Sequence, residues 1–160
     1  MNNRLDLNKL IVQKANSNYL KSVKELLKEA GLDFWIPNDE TYKNFYVVID
    51  KNTNSTIGCF AIDFENKTGI LKSFAIKKNL QGHGIGKYLV NEIPRLCKIL
   101  NIEELFAASR EAPSFWKKTI FKEIELSEIK NAYYLQYSEY LKIKAPEEFD
   151  ETKIFYLKII

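Results

Sequence analysis

The chain has 160 residues, of which 46% are hydrophobic and 13% aromatic, so it is long enough to bury the core of one domain. Its net charge of +3 comes from 24 basic and 21 acidic residues, without the blocks of like charge that indicate nucleic-acid or membrane binding. A single histidine and two cysteines allow no metal site of ordinary spacing. We expect both thiols, at Cys59 and Cys97, to be buried and reduced.

The sequence also favours a soluble protein of the cytoplasm. The N-terminus lacks the apolar run of a signal peptide, and no segment reaches the roughly 18 apolar residues of a membrane span. We therefore expect a cytoplasmic protein that binds neither nucleic acid nor membranes. Exposed aromatic residues and the last strand are compatible with a homodimer.

The hydrophobic pattern predicts a strand and a helix, then three strands joined by short turns, and then a long helix. Pro94 should kink that long helix or cost it a backbone hydrogen bond. The predicted elements are strand Leu10–Val12; a helix capped by Ser17 or Asn18 and ending at Ala30; a loop at 32–43; strands Phe45–Asp50, Ile57–Phe64 and Thr68–Ile76; a helix from Ile85 to Leu100; strand Leu105–Ala108; helix Ala112–Lys118; strand Phe121–Leu126; a helix within 127–144; a break at Pro146-Glu147-Glu148; and strand Lys153–Ile160.

This order predicts an α/β fold with a mixed, mostly antiparallel sheet of six or seven strands and helices on both faces. No repeat, low-complexity tract or linker divides the sequence, so we expect a single domain over residues 1–160. In the helix within 127–144, one side is predicted to pack on the sheet. That side carries Ile129, Ala132, Tyr133, Gln136, Tyr137 and Tyr140.

A glycine-rich loop lies between the predicted strand Thr68–Ile76 and the long helix that begins at Ile85. Its residues are Gln81-Gly82-His83-Gly84-Ile85-Gly86. Glycine lets the chain turn tightly and lets a ligand approach the backbone closely. The first N–H groups of the helix have no partners within it, and the helix dipole favours an anion at that end. The pattern therefore indicates a phosphate or pyrophosphate site.

Two common nucleotide motifs fit this loop poorly. Gly86-Lys87 matches the pair in a Walker loop, but Gln81 and Tyr88 occupy its other required places. A dinucleotide fingerprint needs a third glycine where Lys87 stands. The spacing that does fit is Gln-x-x-Gly-x-Gly, as Gln81, Gly84 and Gly86.

With its flanks, from Leu71 through the loop to Leu89, this spacing resembles the acetyl-CoA motif of the GNAT superfamily, the Gcn5-related N-acetyltransferases. The segment Ala112–Phe121 is similar to a later helix-to-strand segment of that family, and the order of elements from residue 10 to 126 also matches. The resemblance implies an N-acetyltransferase that takes acetyl-CoA as its cofactor and a small-molecule amine or a peptide as its acceptor.

The resemblance also implies which residues hold the cofactor. The pyrophosphate would lie on the backbone amides of the loop, the pantetheine arm would bind the backbone of the preceding strand, and Ser109 would hydrogen-bond the arm. The implied cofactor-binding residues are Phe74, Ile76, Gln81, Gly82, His83, Gly84, Ile85, Gly86, Lys87 and Ser109. A backbone N–H near Phe74 would polarise the thioester carbonyl.

The catalytic residues implied by the family are replaced in this chain. Many members carry a tyrosine at the position of Trp116, and histone-modifying relatives carry a glutamate at the position of Ile70. Glu65, with Asp63 beside it, is the nearest candidate base, and Tyr134, with Tyr133 and Tyr137, is a candidate acid or lining residue of the acceptor pocket. We take Glu65 and Tyr134 as the candidate catalytic pair.

The acceptor stays open among an amino acid, a polyamine, a drug-like amine and a protein N-terminus. Residues 126–144 contain no arginine, which does not support an acidic acceptor. Trp116 and Ile70 also leave open a non-catalytic CoA-binding sensor or interaction module. A nucleotide-phosphate enzyme using Gly86-Lys87 is a third hypothesis.

Overall fold

The chain is described by a computed structural model over residues 5–32, 41–109 and 112–160. Its helices and strands are β1 (Leu10–Lys14), α1 (Leu20–Glu29), β2 (Phe45–Asp50), β3 (Ser55–Glu65), β4 (Thr68–Ile76), α2 (Ile85–Ile99), β5 (Glu104–Ser109), α3 (Pro113–Lys117), β6 (Lys122–Ile124), α4 (Ala132–Lys144), α5 (Pro146–Glu151) and β7 (Lys153–Lys158). Most of the loop predicted at 32–43 lies outside the described residues.

The strands form one sheet in the order β1-β2-β3-β4-β5-β7-β6. The pairs β1–β2, β2–β3, β5–β7 and β6–β7 are antiparallel, whereas β4 and β5 are parallel. A parallel pair needs a crossover connection, and α2 lies in that connection. The predicted mixed, mostly antiparallel sheet is therefore confirmed.

The residues group into two compact units, the first of which comprises the described residues up to Ile62 together with Lys72–Leu89. Within it, α1 buries Val23, Leu26 and Leu27, which share one helical face, in a cluster with Val47 and Ile49 of β2. The start of α2 packs in a different cluster, which includes Val48 of β2. Because successive residues of a strand point to opposite faces, these two helices cover opposite faces of β2.

The second unit comprises Asp63–Leu71 and the described residues from Val90 onwards. Phe106 of β5 stacks on Tyr134 of α4, with ring centroids 4.6 Å apart. The next residue, Ala107, is the register partner of Phe155 in β7, and Phe155 packs near Trp116 of α3. Helices thus cover both faces of β5 and β7 as well.

Local contacts correct three of the predictions. The N-cap is Asn16, whose side chain accepts from the Asn18 N–H and begins a short 3-10 turn, so the predicted caps Ser17 and Asn18 are wrong. Helix α1 then begins at Leu20 without a side-chain cap. The predicted break at Pro146-Glu147-Glu148 is instead the start of α5, because proline suits the first turn of a helix.

The third correction concerns the buried side of α4. Tyr134, Ser138 and Leu141 are buried, whereas Ala132 and Gln136 of the predicted side are exposed. The helix has almost no hydrophobic periodicity, because its aliphatic residues Leu135, Leu141 and Ile143 lie on different sides. The face of α4 that packs on the sheet is decided by Phe106 and its neighbours, because Phe106 stacks on Tyr134.

Both cysteines are free and buried, as predicted. Burial raises the pKa of Cys59 and of Cys97 from 9.0 to about 12. We expect the native protein to be unreactive toward a thiol reagent such as DTNB at pH 8, and the denatured protein to react at both positions. The unfolded state loses these protons from about pH 9 and the folded state near pH 12, so stability should fall as pH rises through that window. Rapid labelling of the native protein would contradict this burial.

Candidate active site

The chain between β4 and α2 makes one short 3-10 turn, Lys78–Leu80, before the glycine loop begins. The Gln81 side-chain amide donates to the Ile76 carbonyl at 3.2 Å and ties the first residue of the loop to the end of β4. This hydrogen bond gives the glutamine of the motif, Gln81, a structural role: it stabilises the turn that follows β4.

Two of the loop glycines adopt a backbone conformation that other residues rarely take. Gly82 has φ +82° and Gly84 has φ +83°, both in the left-handed region. A Cβ atom at Gly82 would meet nothing within 4 Å, and one at Gly84 would meet only Leu7 Cδ1 at 3.9 Å. The glycines are therefore required by backbone conformation, and the space beside them is open for a ligand.

The loop presents a run of free backbone donors. Within the described part of the chain, none of the N–H groups from Gly82 to Lys87 makes a hydrogen bond, and the first helical bond joins the Tyr88 N–H to the Gly84 carbonyl at 3.0 Å. Gln81, Gly82, His83 and Gly84 are exposed, as is the Lys87 side chain. Consecutive free donors at the positive end of a 15-residue helix form an anion site of pyrophosphate type.

Strand β4 is irregular just before the loop. Ser73 has φ +55° in the middle of the strand, and its carbonyl accepts from the Cys59 thiol at 3.7 Å. A left-handed residue interrupts the regular pairing of a strand and turns the backbone beyond it. The predicted arm-binding residues Phe74 and Ile76 follow directly, half-buried in the cluster that holds the start of α2.

In the second unit, Ser109 ends β5, and its hydroxyl oxygen accepts from the Ala112 N–H at 3.2 Å. The hydroxyl proton is still available for a ligand. Trp116 is 5% exposed and packs edge-on against Phe115 and Phe121. Trp116 is thus part of the hydrophobic core.

The candidate base and tyrosines also lie in the second unit. Glu65 is exposed, and Asp63 is half-buried. Burial, and then the negative charges of Asp63 and Glu65, raise the pKa of Tyr133. Tyr133 is therefore the tyrosine that the structure brings near the two carboxylates, and it holds its proton firmly at neutral pH.

Tyr134, the other predicted catalytic residue, points elsewhere. It is 1% exposed, and burial raises the pKa of its hydroxyl well above the ordinary value. Its ring lies between Phe106 and Tyr137, at centroid distances of 4.6 and 5.9 Å.

Sequence reasoning missed a polar network that holds the start of α4. The Asn131 side-chain amide donates to Thr68 Oγ1 at 2.8 Å and to Glu104 Oε1 at 2.7 Å, while its oxygen caps the helix by accepting from the Tyr134 N–H. Tyr156 donates to the other oxygen of Glu104 at 3.2 Å. The sequence signal for this cap was an asparagine directly before a helical pattern. The network fixes the start of α4, and with it Tyr133 and Tyr134, relative to β4 and β5.

Among residues 5–32, 41–109 and 112–160, no helix is long and apolar enough to cross a membrane. The same residues contain no group of three or more His, Cys, Asp and Glu side chains placed to hold a metal ion.

Comparison with known proteins identifies the family to which the chain belongs. A family model described as the acetyltransferase (GNAT) domain matches residues 41–123, a little over half of the 160-residue chain. A comparison with curated proteins returned no match. The chain belongs to the GNAT acetyltransferase family. The predicted acyltransferase class and the acetyl-CoA donor are thereby confirmed at the level of the family.

Solved structures with the same fold include several of this family. The chain is similar to N-acetylglutamate synthase from Neisseria gonorrhoeae complexed with coenzyme A and N-acetyl-glutamate, with TM-score 0.73 and 16% identity over 94% of this chain and 35% of that one. It is similar to Rv2747 from Mycobacterium tuberculosis in complex with CoA and NLQ, with TM-score 0.72 and 18% identity over 94% and 99% of the two chains. A GNAT-family acetyltransferase from Staphylococcus aureus Mu50 gives TM-score 0.65 and 18% identity over 94% and 99%. The chain thus spans only 35% of the length of the Neisseria enzyme.

Proposed function

We propose that this chain transfers the acetyl group of acetyl-CoA to a primary amine of a small molecule or peptide. The observation that carries the proposal is the run of free backbone donors from Gly82 to Lys87 at the start of α2, which begins with the exposed residues Gly82, His83 and Gly84. Those donors suit the pyrophosphate of CoA, and the positive charge of Lys87 favours the same anion.

The remaining cofactor contacts follow from the strands. The backbone of Phe74 and Ile76 would bind the pantetheine arm, and the Ser109 hydroxyl would donate a further hydrogen bond. When bound, acetyl-CoA supplies a thioester whose carbonyl carbon is the electrophile. The chain's contribution is to position that carbonyl and the amine, which can account for most of the acceleration.

Proton transfer requires a base for the amine and a proton for the departing sulfur. Attack forms the amide C–N bond and breaks the C–S bond, so the amine loses a proton and the thiolate gains one. We assign the base to Glu65, with Asp63 beside it, because a carboxylate that solvent reaches can take the proton of the amine directly or through water. Tyr133 is the nearer hydroxyl donor to this pair, whereas Tyr134 suits binding of the acceptor.

Small amines are the acceptors that best fit the family. The Neisseria enzyme is described with N-acetyl-glutamate and Rv2747 with NLQ, which support a small-molecule acceptor here as well. A cytoplasmic location and a homodimer stay predictions, the former supported by the two reduced thiols.

A non-catalytic CoA-binding module is the second candidate. It is favoured by Trp116 and Ile70, which are both buried at positions where relatives carry a tyrosine and a glutamate. Such a module would bind CoA on the same loop without turnover.

Two measurements on the purified chain separate these functions. Acetyl-CoA at about 100 times its Kd should stabilise the fold by roughly 2.7 kcal/mol and raise Tm by about 5–10 °C, whereas ATP and NAD should not. Release of free CoA over a panel of amines should then show turnover. Binding without turnover would support the module, and a Tm unmoved by acetyl-CoA but raised by ATP or NAD would support a nucleotide enzyme.

A further inference from the structure

A pocket of about 290 Å³ lies within the second unit, where β6, α4, α5 and the start of β7 meet. Its size is near the lower end of the range for small-molecule sites. The residues that line it are Glu123, Ile124, Glu125, Leu126, Tyr134, Ser138, Leu141, Phe149, Asp150, Thr152, Lys153 and Ile154.

Two buried hydroxyl side chains of α4 line this pocket. Tyr134 is 1% exposed and Ser138 is 5% exposed, and their spacing of four residues puts them on one helical face. Neither hydroxyl makes a hydrogen bond with another described residue. Every described side-chain polar atom that is sealed from solvent has a partner, so these two unpaired hydroxyls are not sealed. Both hydroxyls therefore reach the space of the pocket, where a polar ligand would satisfy them.

The charged residues of the lining favour a cation. Glu125 and Asp150 bring two carboxylates to the lining, against a single lysine, Lys153. The Glu123 carboxylate is instead paired with the amine of Lys117 in α3, 3.9 Å away, whereas the Glu125 side chain accepts from the Glu128 N–H and is held in place. The aromatic ring of Phe149 also lines the pocket and offers a face to an ammonium group.

The strand register places the pocket beside the end of β5. Lys153 and Ile154 line the pocket, and they are the register partners of Ser109 and Ala108 in β5. Because side chains alternate along a strand, Ile154 lies with Phe106 on the face that α4 covers, whereas the Ser109 side chain lies on the opposite face. The pocket is therefore one strand away from the end of β5, on the α4 face.

We infer that this pocket holds the acceptor and that the acceptor is a small amine carrying a second positive charge. The inference rests on the proposed function. One ammonium group binds among the carboxylates and the hydroxyls of Tyr134 and Ser138, and the other amine is the one acetylated. The absence of arginine from residues 126–144 fits this assignment, because no guanidinium is supplied there for an acidic acceptor.

The test compares three acceptors by the rate of CoA release: 1,4-diaminobutane, n-butylamine and glutamate. We expect kcat/KM for the diamine to exceed that for butylamine by about tenfold, with glutamate poorest. Glu125→Gln and Asp150→Asn should each raise KM for the diamine about fivefold and leave KM for acetyl-CoA unchanged. Glu147→Gln, an exposed α5 carboxylate outside the pocket lining, is the matched control and should behave as wild type.

Blocking the pocket separates this inference from the proposed function. Ser138→Leu should fill the pocket, and Tyr134→Phe removes one hydroxyl at nearly constant volume; both should lose affinity for the diamine. Preference for glutamate, or charge variants indistinguishable from Glu147→Gln, would overturn the inference. If no amine is turned over, calorimetry with 1,4-diaminobutane decides: binding that Ser138→Leu removes keeps the cation pocket and rejects only acetyl transfer, whereas no binding to wild type rejects the pocket.

Discussion

Substituting Gly84 by glutamate is expected to abolish acetyl-CoA binding, with a loss of affinity of at least about 100-fold. The new carboxylate would stand beside the free N–H groups of Gly82–Lys87 and occupy the place of the pyrophosphate. The side chain itself fits, because only Leu7 Cδ1 lies within 4 Å of the added Cβ, at 3.9 Å. The φ of +83° costs the variant about 1–2 kcal/mol of stability. Calorimetric titration with acetyl-CoA measures the effect.

Gly31→Glu provides the matched control for backbone strain. Gly31 follows α1 with φ +74°, and nothing lies within 4 Å of an added Cβ. This variant adds the same charge and a similar strain away from the loop, so it should lose similar stability and keep its affinity for acetyl-CoA. Equal affinity in the two variants would refute the assignment of the loop as the cofactor site.

Substituting Trp116 by alanine is expected to lower the free energy of unfolding by about 3–5 kcal/mol, and Tm by about 10 °C. The indole is 5% exposed and contacts the rings of Phe115, Phe121 and Phe155 at centroid distances of 5.3, 5.1 and 6.2 Å. Removing it would leave a cavity in the second unit. Urea denaturation followed by circular dichroism measures the change.

Trp116→Phe retains an aromatic ring and should cost only about 1–2 kcal/mol. Below its Tm, each Trp116 variant should keep KM for acetyl-CoA within about twofold of wild type, since Trp116 belongs to the core. A variant with wild-type stability and lost turnover would instead place the indole in the reaction.

Much of the fold was predictable because its patterns are local. All residues of β2 are buried, and its sequence before Asp50 is a continuous run of aromatic and β-branched residues. Short turns predicted the antiparallel neighbours of β2 and β3, and the glycine loop marked the start of α2. Pro94 stands inside α2, which continues to Ile99, so the proline costs a backbone hydrogen bond without ending the helix.

The predictions that were wrong concern features that depend on contacts with residues distant in sequence. The aliphatic residues of α4 lie on several sides, and its buried face is selected by Phe106 and by the Asn131 bonds to Thr68 and Glu104. Those partners come from strands far away in sequence. The start of α5 at Pro146 was hidden because a proline before charged residues is equally typical of a loop.

The sequence by itself determined the glycine loop that we propose as the cofactor site, since its glycines and the strand-loop-helix order are local features that act through the backbone of neighbouring residues. Only the tertiary structure decided where the candidate side chains for catalysis and acceptor binding lie. It placed Tyr133 near Asp63 and Glu65, and it buried Tyr134 and Ser138 against a pocket with Glu125 and Asp150. Burial and pocket shape depend on which elements pack together, and these residues come from β3, the turn after β6, α4 and α5, which periodicity alone does not bring together.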